Sequence, residues 1–183
     1  MSALFGSTIG LLIKKLLTGD TLENARLRVD VAQTGFWEGR EFRLEREIAG
    51  PTVIKFVAPI NFILQLQAFA SHDGEATLAV YSDTQGSEDG TFESLTPNPN
   101  NAMSTTPSYT PQITLSTGGT FTPTDTDPNF AREFIRVVSS SATAQRSTVG
   151  GSGVKERGLG ANTYYLVFTG SKSSYRLIYE ERP

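Results

Sequence analysis

The sequence predicts an all-β protein, an antiparallel sandwich or barrel, and three observations carry that prediction. From residue 25 onward hydrophobicity alternates with period two: in "ARLRVDV" Ala25, Leu27, Val29 and Val31 face one way, and Arg26, Arg28 and Asp30 the other. Such alternation marks a strand with one dry and one wet face. About nine short strands of this kind follow one another, separated by turn signals such as "AGP", "HDG" and "EDG". No second helix of useful length lies between them, which argues against a parallel βαβ sheet.

The chain opens with its one good helix candidate, "ALFGSTIGLLIKKLLTGD". Phe5, Ile9, Leu12 and Leu16 recur at the spacing that lines one helix face, and Leu4 precedes them. Gly6 and Gly10 weaken the helix by about 1 kcal/mol each relative to Ala, and Gly19-Asp20 stops it. The expectation is an N-terminal arm or short helix over residues 1–24, packed on its own domain or docked on a neighbouring subunit. The segment is interrupted by Lys14-Lys15 and is too short to span a bilayer. Its lysines come late for a secretory signal, so it reads as part of the mature protein.

The β domain is expected over residues 25–183. After "ARLRVDV", "EFRLEREI" repeats the alternation, with Phe42, Leu44 and Ile48 opposite Arg43, Glu45 and Glu47, and Arg46 as the exception. Further strands are expected at 52–57, 61–69, 76–81, 112–116, 133–139, 164–169 and 175–180. Between 95 and 130 the chain turns rich in Thr, Asn, Ser and Pro, with six of its nine prolines there. Proline removes ladder donors, so a long loop broken by one strand at 112–116 is expected.

The composition bounds the function. At 183 residues the chain forms one domain, or one domain plus an arm, and a domain of this size buries roughly 70% of its unfolded surface. With no cysteine, disulfides and thiolate metal sites are excluded. A net charge of −3 argues against a general nucleic-acid binder, which needs a basic face.

Chemistry-bearing patterns are few. "GGSGVKERGLG" (150–160) suggests a phosphate loop. A Walker loop, however, needs Lys and a hydroxyl residue directly after its second glycine, and Leu159 and Gly160 follow Gly158. A dinucleotide fingerprint needs glycine where Glu156 stands. The stretch reads as a polar hairpin feeding the strand that follows. His72, the one histidine, lies in the turn "SHDGE". "DTQGSEDG" (83–90) and "TDTDPN" (124–129) gather carboxylates without the twelve-residue calcium pattern and read as solvated loops. Phe36 and Trp37 stand together beside glycine, as a strand end or as an anchor for an interface or a sugar. No catalytic constellation, cofactor site or metal site is visible, and no enzyme activity is expected.

Several stretches taken together carry a resemblance: "RVDVAQTGFWEGREFR" (28–43), "VIKFVAPINFIL" (53–64), "VVSSSATAQRSTVGGSGVKERGL" (137–159), "NTYYLVFTG" (162–170) and "YEERP" (179–183). They resemble a group of tailed-bacteriophage virion structural proteins over roughly residues 25–183. The likeness is greatest to capsid decoration (cement) proteins, which are small, β-rich and cysteine-free and commonly form trimers at symmetry points of the expanded head. It implies location on the capsid surface of the virion after synthesis in the host cytoplasm. The implied partners are the major capsid protein and other copies of the chain, with no nucleic acid or membrane. A tail, neck or fibre-associated protein with a glycan-binding face is the alternative. The expectation is a single antiparallel β-sandwich, jelly-roll-like. Leu4, Phe5, Ile9, Leu12 and Leu16 would form its docking face, with Phe36 and Trp37 as secondary anchors.

Overall fold

The computed structural model describes residues 34–103, 108–139, 147–149 and 157–183. The chain divides into two compact units, Met1–Thr34 and Gly35–Pro183, and the architecture below is that of the second. The expected helix face of Leu4, Phe5, Ile9, Leu12 and Leu16, and the expected strand at 25–31, lie outside the described residues.

A helical turn, Thr34–Trp37, leads into the strands β1 (Glu41–Ile48), β2 (Thr52–Ala58), β3 (Asn61–Ser71) and β4 (Gly74–Ser82). Short strands follow: β5 (Gly86–Asp89), β6 (Glu93–Leu95), β7 (Asn98–Pro99), β8 (Thr114–Thr117) and β9 (Thr120–Pro123). The remainder are β10 (Glu133–Ser139), β11 (Ser147–Val149), β12 (Arg157–Leu159), β13 (Asn162–Gly170) and β14 (Ser173–Arg182).

They form two large antiparallel sheets. In the first, β11 and β12 line one edge of β3, followed by β14, β1 and β7. The second runs β10-β4-β13-β2-β8-β6. Setting aside the short insertions β5–β9 and counting β11/β12 as one interrupted strand leaves eight main strands. The first pairs with the last (β1 with β14), the second with the seventh (β2 with β13), the third with the sixth (β3 with β11/β12) and the fourth with the fifth (β4 with β10). A long hairpin rolled up in this way is a jelly roll. The expected all-β sandwich is the fold.

The sheets close on one apolar core, because alternate residues of every long strand point between them. At its centre Phe56 packs on Phe62 at 4.9 Å between ring centroids and on Tyr179 at 5.2 Å, edge-on. Tyr179 and Phe69 are wholly buried. Burial of each such side chain stabilises the fold by about 1.5–3 kcal/mol. In β3 the alternation slips: Phe62 and Leu64 face inward, then Gln67, Phe69 and Ser71 do. A break of register against β14 at Ile178/Tyr179 absorbs the extra residue.

One expectation needs correction. Among the described residues the stretch 95–130 holds three strands, β7, β8 and β9, where the sequence suggested one. Strand β9 is short and largely polar, and it exists because β5 pairs with it, from Gly86 opposite Pro123 to Asp89 opposite Thr120. The glycine-rich stretch 150–156, expected as a hairpin, lies outside the described residues. Of the strands on either side of it, Val149 of β11 lies opposite Phe69 and Arg157 of β12 opposite Leu64, both antiparallel on the same edge of β3.

The insertions build a third layer. Strands β5 and β6 run antiparallel to β9 and β8 as one two-stranded ribbon, bent where Gly90, Thr91 and Phe92 face only Gly118 and Gly119. Gly118 has φ 107, and the Phe92 ring fills the space that a side chain at Gly119 would need. Past the bend the ribbon lies as a strap over the outer face of the second sheet. Phe121 stacks on Tyr165 at 4.1 Å and on Tyr81 at 5.7 Å, and Val53 and Ala79 complete this second, smaller core.

Candidate functional site

The most organised polar region lies at one end of the sandwich, where the turn before β1 meets the end of β14. Gly35 is pressed against the Glu180 side chain so closely that a methyl group there would occupy the carboxylate's own position. The turn is closed by the Arg40 amide donating to the Gly35 carbonyl at 2.8 Å. The Arg40 guanidinium then reaches three groups: Glu38 at 2.7 Å, the Glu181 carbonyl at 2.6 Å and Glu180 at 3.5 Å. In return the Glu181 amide donates to the Arg40 carbonyl at 3.0 Å.

Glu180 and Glu181 are both fully buried, at 0% exposure, and their surroundings differ. Glu181 receives the Tyr109 hydroxyl at 2.8 Å, the Gln112 amide at 3.0 Å and the Ile113 amide at 2.9 Å. It thereby clamps the irregular segment before β8 to the end of the sandwich. Glu180 has Arg182 at 3.1 Å, Gln65 at 3.2 Å and the more distant Arg40. Burial pushes its carboxyl above the ordinary range, while Arg182, Arg40 and Gln65 pull the other way. A third buried carboxylate, Glu41, accepts from the side-chain amide of Asn100. The neighbouring Asn101 donates to the Phe36 carbonyl at 2.9 Å. The turn is thus held from both sides.

This scaffold carries Phe36, half-buried, and Trp37, the two aromatic residues singled out in the sequence. Trp37 is 54% exposed, and its ring meets that of Phe36 edge-on at 5.3 Å. Met103, 52% exposed, follows Asn101, whose side-chain oxygen accepts the Met103 amide. An exposed Trp backed by a rigid turn loses little side-chain freedom on contact, and aromatic anchors with this property dominate interfaces. The arrangement is suited to contact and offers no nucleophile–base pair. The expected docking face, Leu4, Phe5, Ile9, Leu12 and Leu16, is not among the described residues.

His72 faces Glu47 at 3.2 Å across the surface. In 124–129, Asp125 and Asp127 cap backbone amides, to Asp127 at 2.9 Å and to Asn129 at 2.8 Å. Among the described residues no group of His, Asp and Glu is placed to hold a metal ion. A second polar cluster pins the strap: the Lys55 ammonium lies 2.6 Å from Glu88 and over the Phe92 ring, and Tyr165 donates to Glu88 at 2.5 Å. Hydrogen bonds from Lys55 and Tyr165 lower the Glu88 carboxyl below its usual range.

Sequence reasoning missed Glu41, Glu180, Glu181 and the Lys55–Glu88 pair. One signal was present: the strand ending "YEER" sets two carboxylates in succession, so one of them must face inward. No protein-family model matches the chain, and neither does any curated protein or solved structure.

Proposed function

We propose that this chain is a structural protein of a tailed-bacteriophage virion that decorates the outer capsid surface and reinforces it by bridging neighbouring capsid subunits. The observation that carries the reading joins sequence to geometry. Two of the stretches that bear the resemblance, "TGFWEGREF" and "YEERP", lie far apart in sequence and meet in one buried network. That network holds Phe36 and Trp37 at the end of a rigid jelly roll. A cement protein needs such a body with fixed anchors, and many weak contacts made at once suffice for strong attachment. The apolar N-terminal segment supplies the arm, the major capsid protein is the partner, and self-association is as a trimer, without a cofactor.

The exposed Trp37 also favours a second reading, an adhesin of the tail, neck or fibre that stacks a sugar on the indole. Immunogold labelling of intact virions separates the two. Gold spread over the head supports decoration, whereas gold confined to a vertex or the tail supports the second reading. Under the first reading Trp37→Ala weakens binding to undecorated heads about tenfold or more, as loss of an anchor of roughly 2 kcal/mol would, with little change in thermal stability. Unchanged head binding removes Trp37 from the interface.

A further inference from the structure

Aspartate followed by glycine occurs twice in the chain, at Asp73–Gly74 and Asp89–Gly90. Both glycines have positive φ, 70 and 82, so the chain turns at each. Their surroundings differ. At the first, the glycine is bound into the sandwich: its carbonyl accepts the Ser71 hydroxyl at 2.8 Å, and it opens β4 opposite Ser139. At the second, the Gly90 amide donates to the side chain of its own predecessor, Asp89 Oδ1, at 2.8 Å. Both residues there are exposed, at the bend that follows the last rung between β5 and β9, Asp89 opposite Thr120.

We propose that Asp89–Gly90 is a site of spontaneous covalent modification, at which the aspartate isomerises to isoaspartate and loosens the strap. The hydrogen bond holds the Gly90 nitrogen against the carboxyl group that it attacks, and glycine has no side chain to obstruct the approach. A bond forms between that nitrogen and the Asp89 side-chain carbon. The amide proton and one carboxyl oxygen, protonated from solvent, leave as water, and a cyclic imide closes. Solvent water then adds to one of the two imide carbonyls and breaks its bond to nitrogen. Opening at the side-chain carbonyl restores aspartate. Opening at the main-chain carbonyl leaves Gly90 joined through the side-chain carbon and turns the former main-chain carbonyl into a free carboxylate. No oxidant or reductant enters, and the mass of the chain is unchanged.

The product carries an extra methylene in the main chain where the strap is short of support. The Asp89 carbonyl accepts the Thr120 hydroxyl at 3.4 Å, and in the product this group is a carboxylate outside the main chain. The rung opposite Thr120 is displaced with it. Asp89 also directly follows Glu88, which holds Lys55 at 2.6 Å and Tyr165 at 2.5 Å. Strands β5 and β9 have four residues each, and a ladder that short frays when its end rung is lost.

The test holds the full-length protein at neutral pH and physiological temperature for several weeks. Each Asp–Gly peptide is then scored for isoaspartate by fragmentation and by methylation with an isoaspartyl methyltransferase. The expected result is conversion at position 89 about fivefold faster or more than at position 73, and equal rates when the incubation is made in urea. The aged protein is expected to lose hydrogen-exchange protection in β5 and β9. Asp89→Glu, whose longer side chain disfavours ring closure, is expected to keep that protection over the same period. Equal conversion at the two positions in the folded protein, or none at 89, overturns the site. A preference for 89 that persists in urea belongs to the local sequence and overturns the role of the fold. Conversion at 89 with β5 and β9 still protected overturns the loosening. Because the assay uses purified protein without capsids, its outcome is separate from the immunogold result.

Discussion

Glu180 and Glu181 are adjacent, equally buried and chemically opposite. At Glu181 two backbone amides and a hydroxyl converge on the carboxylate, so the charge is solvated by fixed donors. A glutamine there offers one acceptor oxygen and turns an amide toward the remaining donors. Leaving buried donors unmatched costs about 1–3 kcal/mol each. Glu181→Gln is therefore expected to lower stability by about 2–3 kcal/mol and Tm by roughly 5–10 °C. At Glu180 burial dominates and raises the folded-state pKa. A raised carboxyl pKa contributes stability below the unfolded value, about 4.3, that is lost as pH rises through the folded value. The charge at 180 is thus a cost at neutral pH, and Glu180→Gln is expected to be the milder change at pH 7. Urea denaturation of both variants checks the order, and equal losses would refute the distinction.

Among the elements, the strap and the sandwich beneath it differ in how they are held. The strap rests on a small aromatic layer, with Phe121 between Tyr165 and Tyr81, plus the Lys55–Glu88–Tyr165 cluster. The groups facing Glu88 are Lys55 from β2 and Tyr165 from β13, with Asp83 acting on Tyr165 from the end of β4. Because the Glu88 pKa is lowered, its contribution is present above the ordinary carboxyl value and is lost as pH falls through the folded one. Amides of β5 and β9 are expected to lose hydrogen-exchange protection below about pH 4 while those of β13 and β14 keep theirs. Phe121→Ala, at a cost of about 3 kcal/mol, should produce the same selective loss at neutral pH. Uniform loss across all strands would show that the strap and sandwich open together. These same elements mark where the sequence was legible. Strands β1 and β10 could be read to the residue, and β2, β3, β4, β13 and β14 in their bodies, because each buries one face and so alternates. Strands β5, β6, β7 and β9 have two to four residues and little or no buried face, and pairing alone defines them.

For the whole molecule, the order of strands depends on contacts between segments far apart in sequence. A list of alternating segments implies a sandwich, but it does not say that the first main strand lies beside the last. The pairing of β1 with β14 makes that choice, and β14 sits between β3 and β1 in the middle of its sheet. Sequence patterns single out Phe36 and Trp37; they do not show that residues 180 and 181 hold the turn that carries them. Removing residues 180–183 would take away Glu180 and Glu181 together, and with them the grip on the Gly35–Arg40 turn, the clamp on residues 109–113 and the last rungs of β14. Losing several buried charge-assisted bonds, each worth about 1.5–3 kcal/mol, would consume most of a stability of about 5–15 kcal/mol. The truncated protein is therefore expected to lose cooperative thermal unfolding by circular dichroism, whereas removal of Pro183 alone should leave the transition in place. A truncation lacking 180–183 that still unfolds cooperatively at the parent temperature would mean that the apolar core closes the roll without its polar end.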